Sequence, residues 1–471
     1  MQFVVFANGI VLCFSALLMA LVALLFPATA DAFGAAALLS GALGLMLAVA
    51  TSSSFAGFRR LHTFILTSSV WLTAALAGGL PLYLWQMSPV DALFEAMSGI
   101  TTTGSTVMSG LDSTPRGILL WRAILQALGG VGFVVTGIAL LPALRVGGMQ
   151  LFRTESSDKG EKELNTAAGF ALATLIAYLT LIGLCLIAYF AGGMSFFDAI
   201  THAMTTVSTG GYSTYDASFG HFQSGFLQWS ATVFMILGAL PFAWYIRAVN
   251  RGVFRSEQVQ AMLWRLGAVI AMLVLWRVAA SDTGFLTALR EVSFNVVSVV
   301  TTTGYATTDY TTWGPVATVA FFLLTAVGGC TGSTAGGAKA MRWVLLGRSV
   351  WMQMGKVYQP NAVSVLRYEG RRVEDDVLAG VIAFFSIYFM TFALLAAALG
   401  LTGLDFATAV SGALTALANV GPGIGPVIGP AGNFASLGDE AKILLVFGMF
   451  AGRLEILTVF VLFTAAFWRE V

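Results

Sequence analysis

The sequence predicts an all-α polytopic membrane protein, built from four pseudo-symmetric repeats of span, short helix, loop and span. Two extra spans precede the repeats. Three observations carry this prediction. The 471-residue chain is 58% hydrophobic and 10% charged, with a mean hydropathy of +0.85. An aqueous globule of that size needs a polar shell, so lipid must be the solvent for much of this exterior. Apolar runs recur at the length of about 20 residues that crosses a bilayer as a helix. Between them lie four short amphiphilic pieces that align with one another without gaps.

Full spans are expected near 3–26, 33–51, 61–84, 117–143, 167–191, 225–247, 262–281, 315–345, 378–400 and 441–468. The first run lacks a basic leader and a small-x-small cleavage site, and is expected to be a retained span. The pieces near 90–102, 197–209, 290–302 and 406–419 are too short to span and each ends in a glycine-containing turn. A helix that enters and returns is tolerated at membrane depth only where protein or water covers its irregular backbone. The resulting units are 1–60 (extra pair of spans), 61–145, 146–250, 251–350 and 351–471 (repeats one to four). Apart from Arg116, Arg122, Arg277, Arg290, Lys442 and Arg453, every Lys and Arg falls in connectors 51–62, 144–166, 247–265 and 339–376 or in the C-terminal tail. The positive-inside rule makes those connectors and both termini cytoplasmic, so the short pieces dip in from outside. Outer-side carboxylates such as Asp91, Glu95, Asp112, Asp216 and Asp309 would enrich cations there, although loop solubility accounts equally well for any one of them.

The repeat carries the chemistry. Aligned on glycine, the pieces read "DALFEAMSGITTTG" (91–104), "DAITHAMTTVSTGG" (198–211), "EVSFNVVSVVTTTG" (291–304) and "TAVSGALTALANVG" (408–421). The first position (Asp91, Asp198, Glu291, Thr408) suits a helix start, and the eighth is always a hydroxyl residue (Ser98, Thr205, Ser298, Thr415). Four such units around an axis direct the negative C-terminal ends of four short helices inward, and their turns line a constriction. Carbonyls of such turns can replace the water shell of a monovalent cation. Glycine is required where the turn needs backbone angles that a β-carbon forbids. The expected filter residues are Thr102, Thr103 and Gly104, then Thr209, Gly210 and Gly211, then Thr302, Thr303 and Gly304, and finally Asn419, Val420 and Gly421. In the second repeat, comparing "STGGY" with "TTTGY" favours Gly211 over Gly210 as the aligned glycine. The fourth turn, "NVGPG", lacks the threonines, so the ring is expected to be only pseudo-symmetric.

This arrangement resembles the Trk/Ktr/HKT superfamily of potassium transporters over nearly the whole chain, most closely the bacterial Trk-type pore subunit with its two extra N-terminal spans. The stretches "ILLWRAILQALGGVGFVV" (118–135), "FFDAITHAMTTVSTGGYS" (196–213), "GGCTGSTAGGAKAMR" (328–342), "NVGPGIG" (419–425) and "AGRLEILTV" (451–459) carry the resemblance. It implies potassium uptake across a bacterial inner membrane, with the potassium ion held at the filter residues. In plant members a serine at the first filter position accompanies sodium selectivity; glycine in all four repeats here favours potassium. The resemblance also implies a homodimer regulated by a cytoplasmic nucleotide-binding ring of Rossmann-like, Trk A-type subunits. The basic connectors at 247–265 and 342–372 are candidate docking surfaces, although the positive-inside rule also explains their charge.

The run near 315–345 is interrupted by "GGCTGSTAGGAK". Its glycines disfavour helix by about 1 kcal/mol each relative to alanine, although small residues also permit two tightly packed helices. The resemblance assigns an intramembrane gate loop to about 328–338, so Gly328, Gly329, Gly332, Ser333, Gly336, Gly337 and Lys339 are candidate gate residues. Arg453, midway in the last apolar run, costs ~2.5–3.5 kcal/mol at membrane depth unless paired or wet. On a continuous helix Glu455 would lie on another face. The resemblance has Arg453 bind the gate-loop carbonyls; a salt bridge to another helix is the alternative.

No enzyme is expected: the glycine-rich stretch lacks the strand and GK[ST] ending of a phosphate loop. Cys13, Cys185 and Cys330 are far apart, there are three histidines, and the net charge is +1. These features point to no metal site, no organic cofactor and no nucleic-acid partner. A proton- or sodium-coupled potassium symporter, or a less selective potassium and sodium pathway, is the alternative reading. Glu455 is the main carboxylate within the spans that could carry a proton.

Overall fold

The computed structural model describes residues 1–52, 61–139, 167–361 and 365–470, and is helical almost throughout. Helices α1 (Gln2–Leu25) and α2 (Ala30–Thr51) form the extra pair, joined to α3 (His62–Trp85). Polar side chains link α1 to α3: Asn8 donates to Ser69 Oγ at 2.9 Å and accepts from Thr73 Oγ1 at 2.7 Å. In lipid, where apolar surface gives little preference for protein, such bonds and close packing hold helices together.

The first repeat continues with α4 (Pro89–Ile100) and α5 (Arg116–Ala139); the second has α6 (Ala167–Ala191), α7 (Phe196–Val207), α8 (Gly225–Gly238) and α9 (Phe242–Arg251). The third has α10 (Glu257–Ala280), α11 (Phe285–Val300), α12 (Pro315–Thr325) and α13 (Ala340–Tyr358). The fourth has α14 (Asp375–Leu401), α15 (Phe406–Ala418), α16 (Asp439–Arg453), α17 (Ile456–Val461) and α18 (Ala465–Glu470). Among the described residues six helices are long and apolar enough to cross a membrane, or seven if the bent pair α8–α9 counts as one. The predicted span 117–143 runs past residue 139, beyond the described residues.

Three expectations are corrected. The run 225–247 is not a continuous span, because α8 and α9 meet at 89°. Pro241, the N-cap of α9, cannot donate to the ladder and ends α8. The run 441–468 is likewise broken after Arg453: Glu455 has φ +65° and α17 begins at Ile456. The relation of Arg453 to Glu455 is therefore not that of two residues on one helix. Finally, the predicted caps lie three residues too late in three of the four short helices. Ser88, Ser195 and Asp405 accept from the backbone N–H of Asp91, Asp198 and Thr408. Hydrogen bonds from Thr408 hold the Asp405 carboxyl below the usual range. The third short helix, α11, starts earlier than its partners, behind Gly284.

One element left no signal in the hydropathy pattern. Arg367–Tyr368 (β1) and Arg371–Arg372 (β2) pair antiparallel. Glu369 and Gly370 between them both have positive φ, as the primed turn of a tight hairpin requires. Glu369 Oε1 accepts from Glu257 N at 2.6 Å, which satisfies one open N–H at the start of α10.

Candidate functional site

The short helices α4, α7, α11 and α15 are among the most buried elements, and the turns that follow them share one hydrogen-bond register. Thr103 N, Gly210 N and Thr303 N each donate at 2.9 Å to the carbonyl of the eighth-position residue, Ser98, Thr205 or Ser298. Val420 N does so to Thr415 O at 3.0 Å. One residue before each donor the backbone turns left-handed, at Thr102, Thr209, Thr302 and Asn419, with φ from 53° to 60°. One residue after it, Gly104, Gly211 and Gly304 have φ of 86°, 76° and 80°. Gly211, rather than Gly210, therefore shares the conformation of Gly104 and Gly304. Gly421 departs from the pattern, since its φ is not positive.

These glycines meet in a closed ring. A β-carbon on Gly104 would collide with Gly210 O, and one on Gly211 with Thr303 O. On Gly304 it would come to 2.7 Å from Gly421 N, and on Gly421 to 3.2 Å from Gly104 C and O. The sequence of neighbours runs from turn one to two, three, four and back to one. All twelve filter candidates identified in the sequence thus lie in four adjoining turns.

The joints between turns are built differently. At the first, α4 and α5 supply a clamp. Arg122 Nε donates to Glu95 Oε1 at 2.7 Å, and both side chains are buried. Glu95 also accepts from Val107 N at 3.0 Å, and Arg122 donates to Ser213 O at 3.0 Å. The guanidinium lies 4.0 Å from the centroid of the Tyr212 ring. One helical turn along α5, Gln126 accepts from Tyr212 N at 3.0 Å and donates to Gly210 O at 2.7 Å. At the second joint Tyr305 OH bonds to Thr205 Oγ1. At the closing joint Ser105 Oγ donates to Gly421 O at 2.8 Å, and Asn419 Nδ2 donates to Thr103 Oγ1 at 3.0 Å. The sequence reading did not single out Gln126, Tyr212 or the Glu95–Arg122 pair. The available signal was Arg122 and Gln126 at i, i+4 on one face of an otherwise apolar helix.

Below the ring, residues 326–339 make an irregular loop between α12 and α13. Its two ends cross at Gly328 and Gly337, both of positive φ; a β-carbon on Gly328 would lie 2.8 Å from Gly337 Cα. Gly332 also has positive φ, and Ser333 Oγ donates to Cys330 O at 2.7 Å. β-Carbons on Gly329 and Gly336 would press on Ala335 and on Ala418 O. The loop binds three of the four turns. Thr334 Oγ1 lies 3.3 Å from Thr209 Oγ1, Gly336 N donates to Thr302 Oγ1 at 2.7 Å, and Gly337 N donates to Ala418 O at 2.8 Å. The bend after α8 serves it too: Cys330 N donates to Ala239 O at 3.0 Å, and Thr334 Oγ1 to Gly238 O at 2.9 Å. Arg453, at the end of α16, donates to Thr334 O at 2.9 Å and to Gly129 O at 3.3 Å. Lys339, with φ +70°, donates through Nζ to Ala335 O. Glu455 pairs with Arg342 at 2.7 Å instead.

The space above and below the ring is unequal. On the side away from the loop a cavity of about 160 Å³ is lined by Gly104, Gly211, Gly304 and Gly421 together with Ser105, Tyr212 and Asp216. Beneath, between the loop and Asn419, Arg453 and Glu455, the cavity is about 10 Å³, room for about one water.

The TrkH family of cation transport proteins matches residues 32–470. The Trk system potassium uptake protein TrkI of Halomonas elongata is 48% identical over 440 residues, covering 91% of this chain and 89% of that one. The Trk system potassium uptake protein TrkH of Escherichia coli is 36% identical over 425 residues, covering 86% of each chain. The crystal structure of the potassium transporter TrkH from Vibrio parahaemolyticus superposes with a TM-score of 0.90 at 31% identity, covering both chains completely.

Removing one partner of a buried ion pair strands the other charge, at a cost of ~3–5 kcal/mol. Arg122→Met is therefore expected to lower thermal stability in detergent by that order, and Arg122→Met with Glu95→Gln to recover part of it. Unfolding followed by tryptophan fluorescence checks both.

Proposed function

The chain belongs to the TrkH family of cation transport proteins, and on that premise we propose that it takes up potassium ions across the bacterial cytoplasmic membrane through the four-turn ring. The ring itself is the observation that carries this reading: four turns with one hydrogen-bond register meet so closely that three of the four glycines admit no β-carbon. Carbonyls in such a constriction replace the hydration shell of a monovalent cation without a side-chain charge that would bind it too tightly to leave. The C-terminal ends of α4, α7, α11 and α15 add partial negative charge at the same place. Potassium, the transported ion, is held by the carbonyls of the four filter segments and the threonines of the first three. The relatives named as potassium uptake proteins support this choice of ion.

The loop at 328–338 is the gate, and residues 61–145, 146–250, 251–350 and 351–471 are the four pore repeats. The hydrogen bonds from the loop to three turns support an obstructing position, as does the contrast between the outer and inner cavities. Arg453 and Lys339 hold loop carbonyls and place positive charge under the ring, which opposes cation passage until they move. Both termini face the cytoplasm, following the distribution of Lys and Arg. A homodimer regulated by a cytoplasmic nucleotide-binding ring completes the assembly, with the basic connectors beneath the pore as its docking surface.

Rubidium uptake by a potassium-dependent bacterial strain tests the filter. Gly104→Ser and Gly304→Ser are each expected to reduce uptake more than tenfold or to change the preference for potassium over sodium. Gly211→Ala, which meets Thr303 backbone at positive φ, should be far more damaging than Gly210→Ala, whose obstruction is the Gln126 side chain. Wild-type rate and selectivity in all of them would refute the filter. Arg453→Ala is expected to raise unstimulated flux in proteoliposomes severalfold and to blunt regulation; unchanged flux and regulation would remove Arg453 from the gate.

A further inference from the structure

Outside the ion pathway, one cavity has a composition that neither filter nor gate uses. It measures about 190 Å³ and lies between α10 and α12, lined by Leu266, Val269, Leu324 and Val327 among others. Gly328, the first crossing residue of the loop, Val300 at the end of α11 and Arg265 also line it. The side chain of Arg265 is exposed and has no hydrogen bond or ion pair with another described residue. Beside it, Trp264 is 80% exposed. Trp264 and Arg265 lie about 12 Å along a span that starts at the basic side, a depth from which a long Arg side chain snorkels toward the headgroup border.

An apolar slot that ends in an unpaired cation at that border matches one class of molecule. We infer that an anionic phospholipid of the cytoplasmic leaflet occupies it, with part of an acyl chain between α10 and α12 and its phosphate on Arg265. A guanidinium binds phosphate through paired N–H donors, and the inner leaflet concentrates anionic headgroups. The volume is below the ~300–1,000 Å³ of drug-sized sites and suits a segment of chain. The bound chain would touch Val327 and Gly328, so its presence restrains the loop where the loop leaves α12. The binding site rests on the slot, on Arg265 and on the cytoplasmic orientation proposed above; the restraint of the loop rests also on the gate reading.

The full-length chain, purified and stripped of lipid, is mixed with phosphatidylglycerol or phosphatidylcholine and analysed by native mass spectrometry. The expected result is preferential retention of phosphatidylglycerol. Retention should fall at least tenfold in Arg265→Ala, be kept in Arg265→Lys, and fall in Val269→Trp, which fills the slot. Equal retention of the two lipids, or retention indifferent to Arg265, overturns the site. So does cysteine cross-linking through position 269 between two copies in native membranes, because a second chain would then cover the slot. Rubidium flux in vesicles of the two lipids reads the coupling separately. Flux that changes with phosphatidylglycerol in wild type but not in Arg265→Ala supports restraint of the loop. Lipid retention without such a change overturns the coupling alone. Absence of flux from every vesicle speaks against the transport reading and leaves the retention result to decide the site.

Discussion

Four backbone turns meet where there is no space for side chains, and the rest of the molecule is arranged to hold them there. Each turn combines a left-handed threonine or asparagine with a glycine two residues on. Such angles are unfavourable for residues carrying a β-carbon, so the turns do not persist by local preference. They persist because the short helices aim them, the eighth-position carbonyls bind them, and neighbouring turns close the ring.

The closure is not symmetric. A buried ion pair with Gln126 and Tyr212 braces the first joint, a tyrosine hydroxyl the second, and Asn419 with Ser105 the last. One chain can do this where four identical subunits could not, because each repeat is free to vary its outer contacts while the inner backbone keeps one register. The fourth turn shows how far that freedom goes: it lacks the threonines and the positive φ at its glycine, yet Asn419 takes the left-handed position.

The same accounting explains the broken helices. At membrane depth every exposed backbone N–H and C=O needs a partner within the protein. The loop at 328–338 exposes many, and they are met by the carbonyls freed where α8 ends before Pro241, by Thr302, by the end of α15 and by Arg453. The bend at 239–241 and the break after Arg453 therefore belong to one system with the loop.

The sequence by itself determined the membrane class, the four aligned short helices, the positions of the glycines that meet in the ring, the irregularity at 328–338 and the charge of Arg453 within an apolar run. These follow from local properties: hydropathy over about 20 residues, the spacing of glycine and hydroxyl residues, and the cost of a charge in lipid. The tertiary structure alone decided that turn one touches turn two, that Gln126 holds Gly210, that Thr334 and Gly129 accept from Arg453, and that the runs 225–247 and 441–468, expected to be continuous, are bent or broken. Those outcomes depend on which unsatisfied group comes within hydrogen-bond distance of which donor, a property of packing between segments 84 and 119 residues apart that no local pattern encodes.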